Sequence, residues 1–253
     1  MIVSLTSVGG APGVTSWSVL LAAAWPPEAD VERVVLEADV DGAVFGARFQ
    51  LGVEPGAATL VSSSRRSSGV ALAMEDYARR VGDRVWLIPG PESAEAARQL
   101  WSSSQAAEAV TTAIGGDPRV WLVDTGRAGP SGSMVPFFAR SVLTVVMCRS
   151  EHEALVQVPA RVAALQRTGC MVGVLVVGKS AFSLADLQQF FGSQYAWQVD
   201  APRDVVAGSR QVLSERRFKR SQLWRSAVAV ASDVADVTVF RTAPPDPLID
   251  GSR

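Results

Sequence analysis

The stretch Val8-Gly9-Gly10-Ala11-Pro12-Gly13-Val14-Thr15-Ser16 carries the residue types of a phosphate cradle. Its glycines let the backbone turn tightly and point N–H groups inward. The apolar run that follows predicts a helix, whose positive N-terminal end adds attraction for an anion. Thr15 and Ser16 fall in the first turn of that helix, where a hydroxyl can bind Mg²⁺ beside a phosphate. A P-loop has lysine immediately before the threonine; here the residue is Val14. Taken alone, Gly-Gly-Ala-Pro-Gly also reads as a plain tight turn.

Two acidic runs could complete such a site. Glu37-Ala38-Asp39-Val40-Asp41-Gly42 holds three carboxylates within five residues, and in an extended chain Glu37, Asp39 and Asp41 share one side. A carboxylate there can hold a metal-bound water or orient an attacking one. The other reading is a solvated acidic loop. Leu122-Val123-Asp124-Thr125-Gly126 is an apolar strand ending in aspartate, a pattern in which the carboxylate reaches Mg²⁺ through water. Such an aspartate alone can also be a cap. His152 is the single histidine, and Cys148 and Cys170 lie in apolar runs without CxxC spacing. A histidine-cluster metal centre, a cysteine zinc site and a nucleophile elbow are all excluded.

Ligands in open α/β sheets bind at the carboxyl ends of strands, so these three runs require strands before them. Apolar runs predict strands at 2–8, 33–36, 85–88, 120–123, 142–148, 172–177 and 195–199. Helical patterns cover Thr15–Trp25, Leu72–Arg80, Glu92–Ile114, Glu151–Arg167, Leu184–Phe191 and Leu223–Val234. Continuous apolar strands alternating with helices predict an α/β fold: a three-layer, doubly wound, mostly parallel sheet with helices on both faces. A single domain over 1–242 is expected, with Ser62–Ser68 as a mobile surface loop and the Pro-rich 243–253 as a disordered tail.

The 253 residues carry a net charge of −1, so composition exerts no global pull toward nucleic acid or an anionic membrane. No basic segment precedes the first apolar run, and none of the apolar runs reaches the length of a membrane span, so the expected location is the cytoplasm. Lys179 and Lys219 are the only lysines; arginine supplies every other basic side chain, as in proteins from GC-rich genomes.

With these three strand ends in this order, the chain resembles the ParA/MinD family of deviant P-loop ATPases (SIMIBI class) across roughly residues 1 to 235. The marks are Gly9 to Ser16, Glu37-Ala38-Asp39, Val123-Asp124-Thr125-Gly126, and Ala201-Pro202-Arg203-Asp204, which is similar to the family's Pro-x-Asp turn. Members use ATP to form a sandwich dimer and then bind DNA, membrane or a partner to place cellular cargo. The resemblance implies ATP or ADP with Mg²⁺ in the loop, Thr15 on the metal, Asp124 supporting it and Asp39 orienting the hydrolytic water. It also implies a homodimer working with a protein partner in a larger assembly.

The family's two loop lysines correspond here to Val14 and Gly9, and no lysine occurs before Lys179. The asparagine that reads adenine in many members is missing from Val177-Gly178-Lys179-Ser180. Arg48, Arg65 and Arg66 are the candidates to supply charge instead. Arg216-Arg217-Phe218-Lys219-Arg220 reads as a membrane or nucleic-acid patch, or as a charged loop before a core-packing helix. The expected function is a positioning or assembly factor with a degenerate, actinobacterial-type P-loop and weak or absent ATP hydrolysis. Its setting would be a Tad-type pilus or secretion machine, as in the TadZ/CpaE group, or chromosome or plasmid partition, with recruitment to membrane or nucleoid. The alternatives are a nucleotide-free scaffold and a slow ATPase that uses an arginine.

Overall fold

Strands buried on both faces need apolar side chains at nearly every position, and the sheet is built from such runs. The computed structural model describes residues 1–9, 12–66, 73–193, 195–200 and 218–242. Its strands are β1 (Ile2–Ser7), β2 (Arg33–Glu37), β3 (Arg79–Gly82), β4 (Val85–Ile88), β5 (Val120–Asp124), β6 (Leu143–Arg149), β7 (Met171–Val177) and β8 (Tyr195–Val199). They form one eight-stranded sheet in the order β3-β4-β2-β5-β1-β6-β7-β8. Every neighbouring pair is parallel except β3 with β4. The architecture is the doubly wound α/β fold that the strand pattern predicts.

The helices are α1 (Val14–Ala24), α2 (Phe45–Phe49), α3 (Ala57–Arg66), α4 (Ala94–Leu100), α5 (Ser104–Ile114), α6 (Val135–Arg140), α7 (His152–Leu155), α8 (Val158–Gln166), α9 (Leu184–Phe191) and α10 (Gln222–Thr242). Alternation along each strand divides the core in two. Val34 and Leu36 of β2 join α3, α5, α6, α8 and α9 on one face. Val35 joins α1 and α10 on the other, where Phe45 of α2 also packs. Helix α1 lies between the sheet and α10, so nearly all of it is buried and its sequence offers only small hydroxyls in place of a polar face. Among the described residues, no helix is long and apolar enough to cross a membrane.

The central strand departs from the apolar rule on one face. Ser4 and Thr6 of β1 are fully buried and satisfied by hydrogen bonds. Ser4 Oγ pairs with Ser141 Oγ at 2.7 Å, and Thr6 Oγ1 donates to Ala128 O at 2.7 Å. The second bond ties the end of β1 to the loop that leaves β5.

Several sequence expectations are corrected. The segment read as a helix over Leu72–Arg80 contains a short 3₁₀ turn, Met74–Asp76, and then the edge strand β3; Leu72 itself lies outside the described residues. A turn through Asp83 and Arg84, the latter at φ 57°, folds β3 back onto β4 as a hairpin. The long helix over Glu92–Ile114 is two, α4 and α5, separated at Trp101–Ser103, and Ser93 caps the first by accepting from Ala96 N at 3.1 Å. The helix over Glu151–Arg167 is also two, because Pro159 starts α8 and cannot continue α7. Ser62–Arg66 is helical, within α3, rather than loop; Ser67 and Ser68 lie outside the described residues, as do 201–204 and 243–253. Helices α2 and α6 are too short and mixed in composition to show a period.

Trp101 closes the break between α4 and α5, 1% exposed and packed edge-on against Phe137 at 5.6 Å. Trp101→Ala should lower the unfolding free energy by about 3–5 kcal/mol, read as a fall in the urea midpoint at unchanged slope.

Candidate phosphate and metal site

Parallel pairing of β5 between β1 and β2 sets Asp124 opposite both Leu5 and Glu37, so the three chemistry-bearing runs leave the sheet side by side. The turn after β1 enters α1 through Gly13, at φ 94° and ψ 35°, a conformation that glycine adopts without steric cost. Gly13 O accepts from Trp17 N at 2.9 Å, which starts the helix. Pro12, Val14 and Ser16 are buried, whereas Thr15 and Gly13 are half-buried and face the rim. Gly10 and Ala11 lie outside the described residues. Gly9 lies beside Gln157: a Cβ on it would come within 3.7 Å of Gln157 Oε1.

Val14 is part of the apolar core with Trp17, Leu20 and Leu21. The position that carries lysine in a P-loop is therefore used for packing. Arg48, near the end of α2, donates from Nη1 to Ser16 Oγ at 3.0 Å. Of the three arginines considered from sequence, the structure brings Arg48 to the loop. Arg65 lines clefts beside α3, away from it.

The acidic run after β2 does not present its carboxylates on one side. The strand ends at Glu37, and the chain turns through Gly42 at φ 105°. Glu37 is buried as a structural strut. Its carboxylate accepts from Val44 N at 2.7 Å, Phe45 N at 3.1 Å and Gly90 N at 3.3 Å, fixing the start of α2. Burial pushes its pKa up to about 8, against those hydrogen bonds, and the nearby Asp124 adds to the rise. Asp41 is turned outward and pairs with Arg98 at 3.0 Å and Arg127 at 3.2 Å, which hold its carboxyl below the usual range.

Asp39 is the member of the run that reaches β5. Its Oδ1 accepts from Asp41 N at 2.9 Å, and burial raises its pKa. Its carboxylate rests on Gly126, where a Cβ would lie 2.2 Å from Asp39 Cγ. Asp124 is fully buried, and its Oδ1 accepts from Gly126 N at 2.9 Å. No donor meets its Oδ2 in full hydrogen-bond geometry, although the Thr15 hydroxyl is near enough to act on the carboxylate. Burial pushes the Asp124 pKa up to about 6; the Thr15 hydroxyl, the Gly126 N–H and Arg48 oppose that rise, and Asp39 adds to it. The site therefore gathers the Thr15 hydroxyl, the Asp124 and Asp39 carboxylates and the Arg48 guanidinium around the N-terminus of α1.

Among the described residues, no three His, Cys, Asp or Glu side chains converge as a metal cage. A buried carboxylate oxygen beside a threonine hydroxyl fits a hydrated Mg²⁺, which keeps most of its waters and takes few protein ligands. The Gly126 seat for Asp39 and the strut role of Glu37 were not legible in the sequence. Of the basic patch, Lys219 and Arg220 are exposed, Phe218 is buried, and Lys219 Nζ lies 5.7 Å from the Trp224 ring centroid. Arg216 and Arg217 lie outside the described residues.

A doubly wound, mostly parallel sheet with a Gly-rich turn after β1, an acidic loop after β2 and a buried aspartate ending β5 has the build of the P-loop NTPase fold. Solved structures place it among the ParA/MinD ATPases in fold. MinD from Pyrococcus horikoshii, complexed with Mg-ADP, superposes with a TM-score of 0.75 at 15% identity, covering 96% of this chain and 99% of that one. A ParA family ATPase from Chlorobium tepidum gives 0.72 at 13% identity, covering 91% and 97%. MinD in the MinC:MinD cell division complex of Aquifex aeolicus gives 0.70 at 10% identity, covering 93% and 95%. No protein-family model matches the sequence, and no curated protein matches it.

Two outcomes follow from the geometry. Gly126→Ala forces a left-handed alanine at φ 58° against the Asp39 carboxylate, and should cost at least about 1–2 kcal/mol in urea unfolding. Gly116→Ala, where a Cβ meets nothing within 4 Å, should be close to neutral. Glu37 binds its proton more tightly in the folded state, at about 8 against an ordinary 4.5. Its contribution is therefore complete below about pH 4.5 and is lost as pH rises through 8. Glu37→Gln should flatten that decline while lowering stability by about 1–3 kcal/mol, since its amide nitrogen faces a backbone donor. Midpoints measured from pH 4 to 9 check both effects.

Proposed function

We propose that this chain is a positioning or assembly factor of ParA/MinD-like build that binds ATP or ADP with Mg²⁺ at the α1 N-terminus and hydrolyses ATP weakly or not at all. The observation that carries the reading is Val14, which packs in the core where a catalytic P-loop has its lysine. Without that lysine, charge-assisted contacts of about 1.5–3 kcal/mol each are missing from the phosphoryl group. The transition state suffers more than the ground state, because electrostatic stabilisation is most of what such a site contributes to phosphoryl transfer.

Binding is supported by what remains. The backbone turn and the helix N-terminus suit phosphates. The Thr15 hydroxyl and the buried Asp124 Oδ2 suit a hydrated Mg²⁺, which when bound neutralises phosphate charge. Asp39, seated on Gly126 at the same rim, would orient a water. The MinD structure that resembles this chain carries Mg-ADP, which favours the same ligand here. Likeness to the MinD of a MinC:MinD complex favours a homodimer that docks a protein partner. A Tad-type assembly or a partition apparatus fits this build, and recruitment to a membrane or nucleoid would follow from the partner. The stacking of Lys219 on Trp224 and the burial of Phe218 favour a charged segment that anchors α10 over a dedicated membrane patch.

Titration calorimetry should show ATP–Mg²⁺ and ADP–Mg²⁺ binding, with phosphate release no faster than the blank. Asp124→Asn should remove most of the Mg²⁺-dependent part of the affinity. No heat, together with unchanged hydrogen exchange in α1, would overturn the reading and leave a scaffold for protein contacts. Phosphate release that Asp39→Ala abolishes would instead mark a slow ATPase.

A further inference from the structure

The geometry points to Arg48 as the phosphate-binding cation of this site, delivered from α2 in place of the lysine that the loop lacks. The inference rests on the nucleotide-site reading above and names the residue that supplies its charge.

No lysine precedes Lys179, so any cation contributed by the first half of the chain is an arginine. Arg48 reaches the third residue of α1 through its 3.0 Å bond to Ser16 Oγ. That first turn is where backbone N–H groups have no partner within the helix. A guanidinium there is opposed by the helix dipole, whose N-terminal end is positive. A fully buried acid beside it, Asp124, has an Oδ2 that no donor meets in full hydrogen-bond geometry. A polyphosphate carrying Mg²⁺ complements all three features: phosphate oxygens for the guanidinium and the N–H groups, and the hydrated metal for Oδ2. A guanidinium also offers a planar fork that grips phosphate through two parallel bonds, which an ammonium cannot do.

Three other arginines have partners away from Ser16. Arg127 and Arg98 pair with Asp41. Arg161 donates to Ala128 O at 2.8 Å from the α8 side.

Placement on α2 has a consequence that a loop lysine would not have. Helix α2 is fixed at its start by the Glu37 carboxylate and reaches α1 through Arg48. Phosphate gripped by Arg48 fastens the post-β2 segment to the loop, so occupancy of the site is read out in residues 44–49.

The test uses Arg48→Met, Arg48→Gln and Arg48→Lys in the full chain, with ATP–Mg²⁺ and sodium tripolyphosphate as probes. Calorimetry should show roughly ten- to a hundredfold weaker binding of both probes to the neutral variants, with Arg48→Lys between them and wild type. Ligand should slow hydrogen exchange in residues 44–49 of the wild type and not in Arg48→Met or Arg48→Gln. The melting temperatures without ligand should stay close to wild type, and Arg48→Gln carries the comparison if Arg48→Met fails to fold. Equal affinities for wild type and the neutral variants overturn the role of Arg48 and leave the nucleotide site standing. Wild-type binding of tripolyphosphate without ATP overturns the nucleotide reading, and the phosphate comparison then decides Arg48 alone. Binding of neither probe overturns both.

Discussion

The site depends on the parallel register of β5 with its two neighbours. Because Asp124 pairs opposite Leu5 on one side and Glu37 on the other, three loops leave the sheet at one level. Backbone hydrogen bonds carry that register past the strand ends: Thr125 N donates to Leu5 O at 3.0 Å, Ser7 N to Gly126 O at 2.9 Å and Ala38 N to Asp124 O at 2.8 Å. The same register brings two carboxylates, Glu37 and Asp124, into the interior near one another, where each charge disfavours the other. The fold resolves this unequally. Glu37 receives three backbone N–H groups, whereas Asp124 receives one, and no donor meets its Oδ2 in full hydrogen-bond geometry. The carboxylate with three backbone donors shapes the backbone; the other meets the Gly126 N–H and, at the start of α1, the Thr15 hydroxyl.

Charge at the loop is redistributed by the same economy of space. Helix α1 is enclosed by the sheet and α10, so its first residue can join the core, and Val14 does. Arg48 sits on a short helix at the rim, half-buried, with its guanidinium against Ser16. A lysine in the loop is held by the loop itself, whereas an arginine on α2 is positioned through Glu37 and the turn after β2. Any phosphate contact made by Arg48 is therefore coupled to that turn, which also carries Asp39.

The central strands, α1 and the order of the three strand ends were legible because strands buried on both faces leave continuous apolar runs. The edge was not. β3 reads Arg-Arg-Val-Gly, a half-exposed edge strand without an apolar run, and it forms because its hairpin turn returns it to β4. Serines at 102–104 broke an alanine-rich stretch that a period alone would continue, since serine at a helix start competes with the interior. The period-two placement of Glu37, Asp39 and Asp41 failed because the strand stops at Glu37. Arg48 could be nominated and not placed, for its partner is 32 residues earlier in the chain. The one signal in the sequence was negative, the absence of lysine from the whole first half.

A P-loop lysine serves the transition state, and in the absence of nucleotide it leaves a cation against the positive end of α1. Val14 removes that conflict within the loop and adds apolar contact with Trp17 and Leu20 in the core. Arg48 keeps a cation nearby, on a separate element that meets α1 at the Ser16 hydroxyl. On the proposed reading, the two residues together would shift the site from lowering a barrier toward holding a ligand. A chain that positions other components benefits from a long-lived bound state, and the arrangement of Val14, Arg48 and the buried Asp124 is the physical form such a state would take.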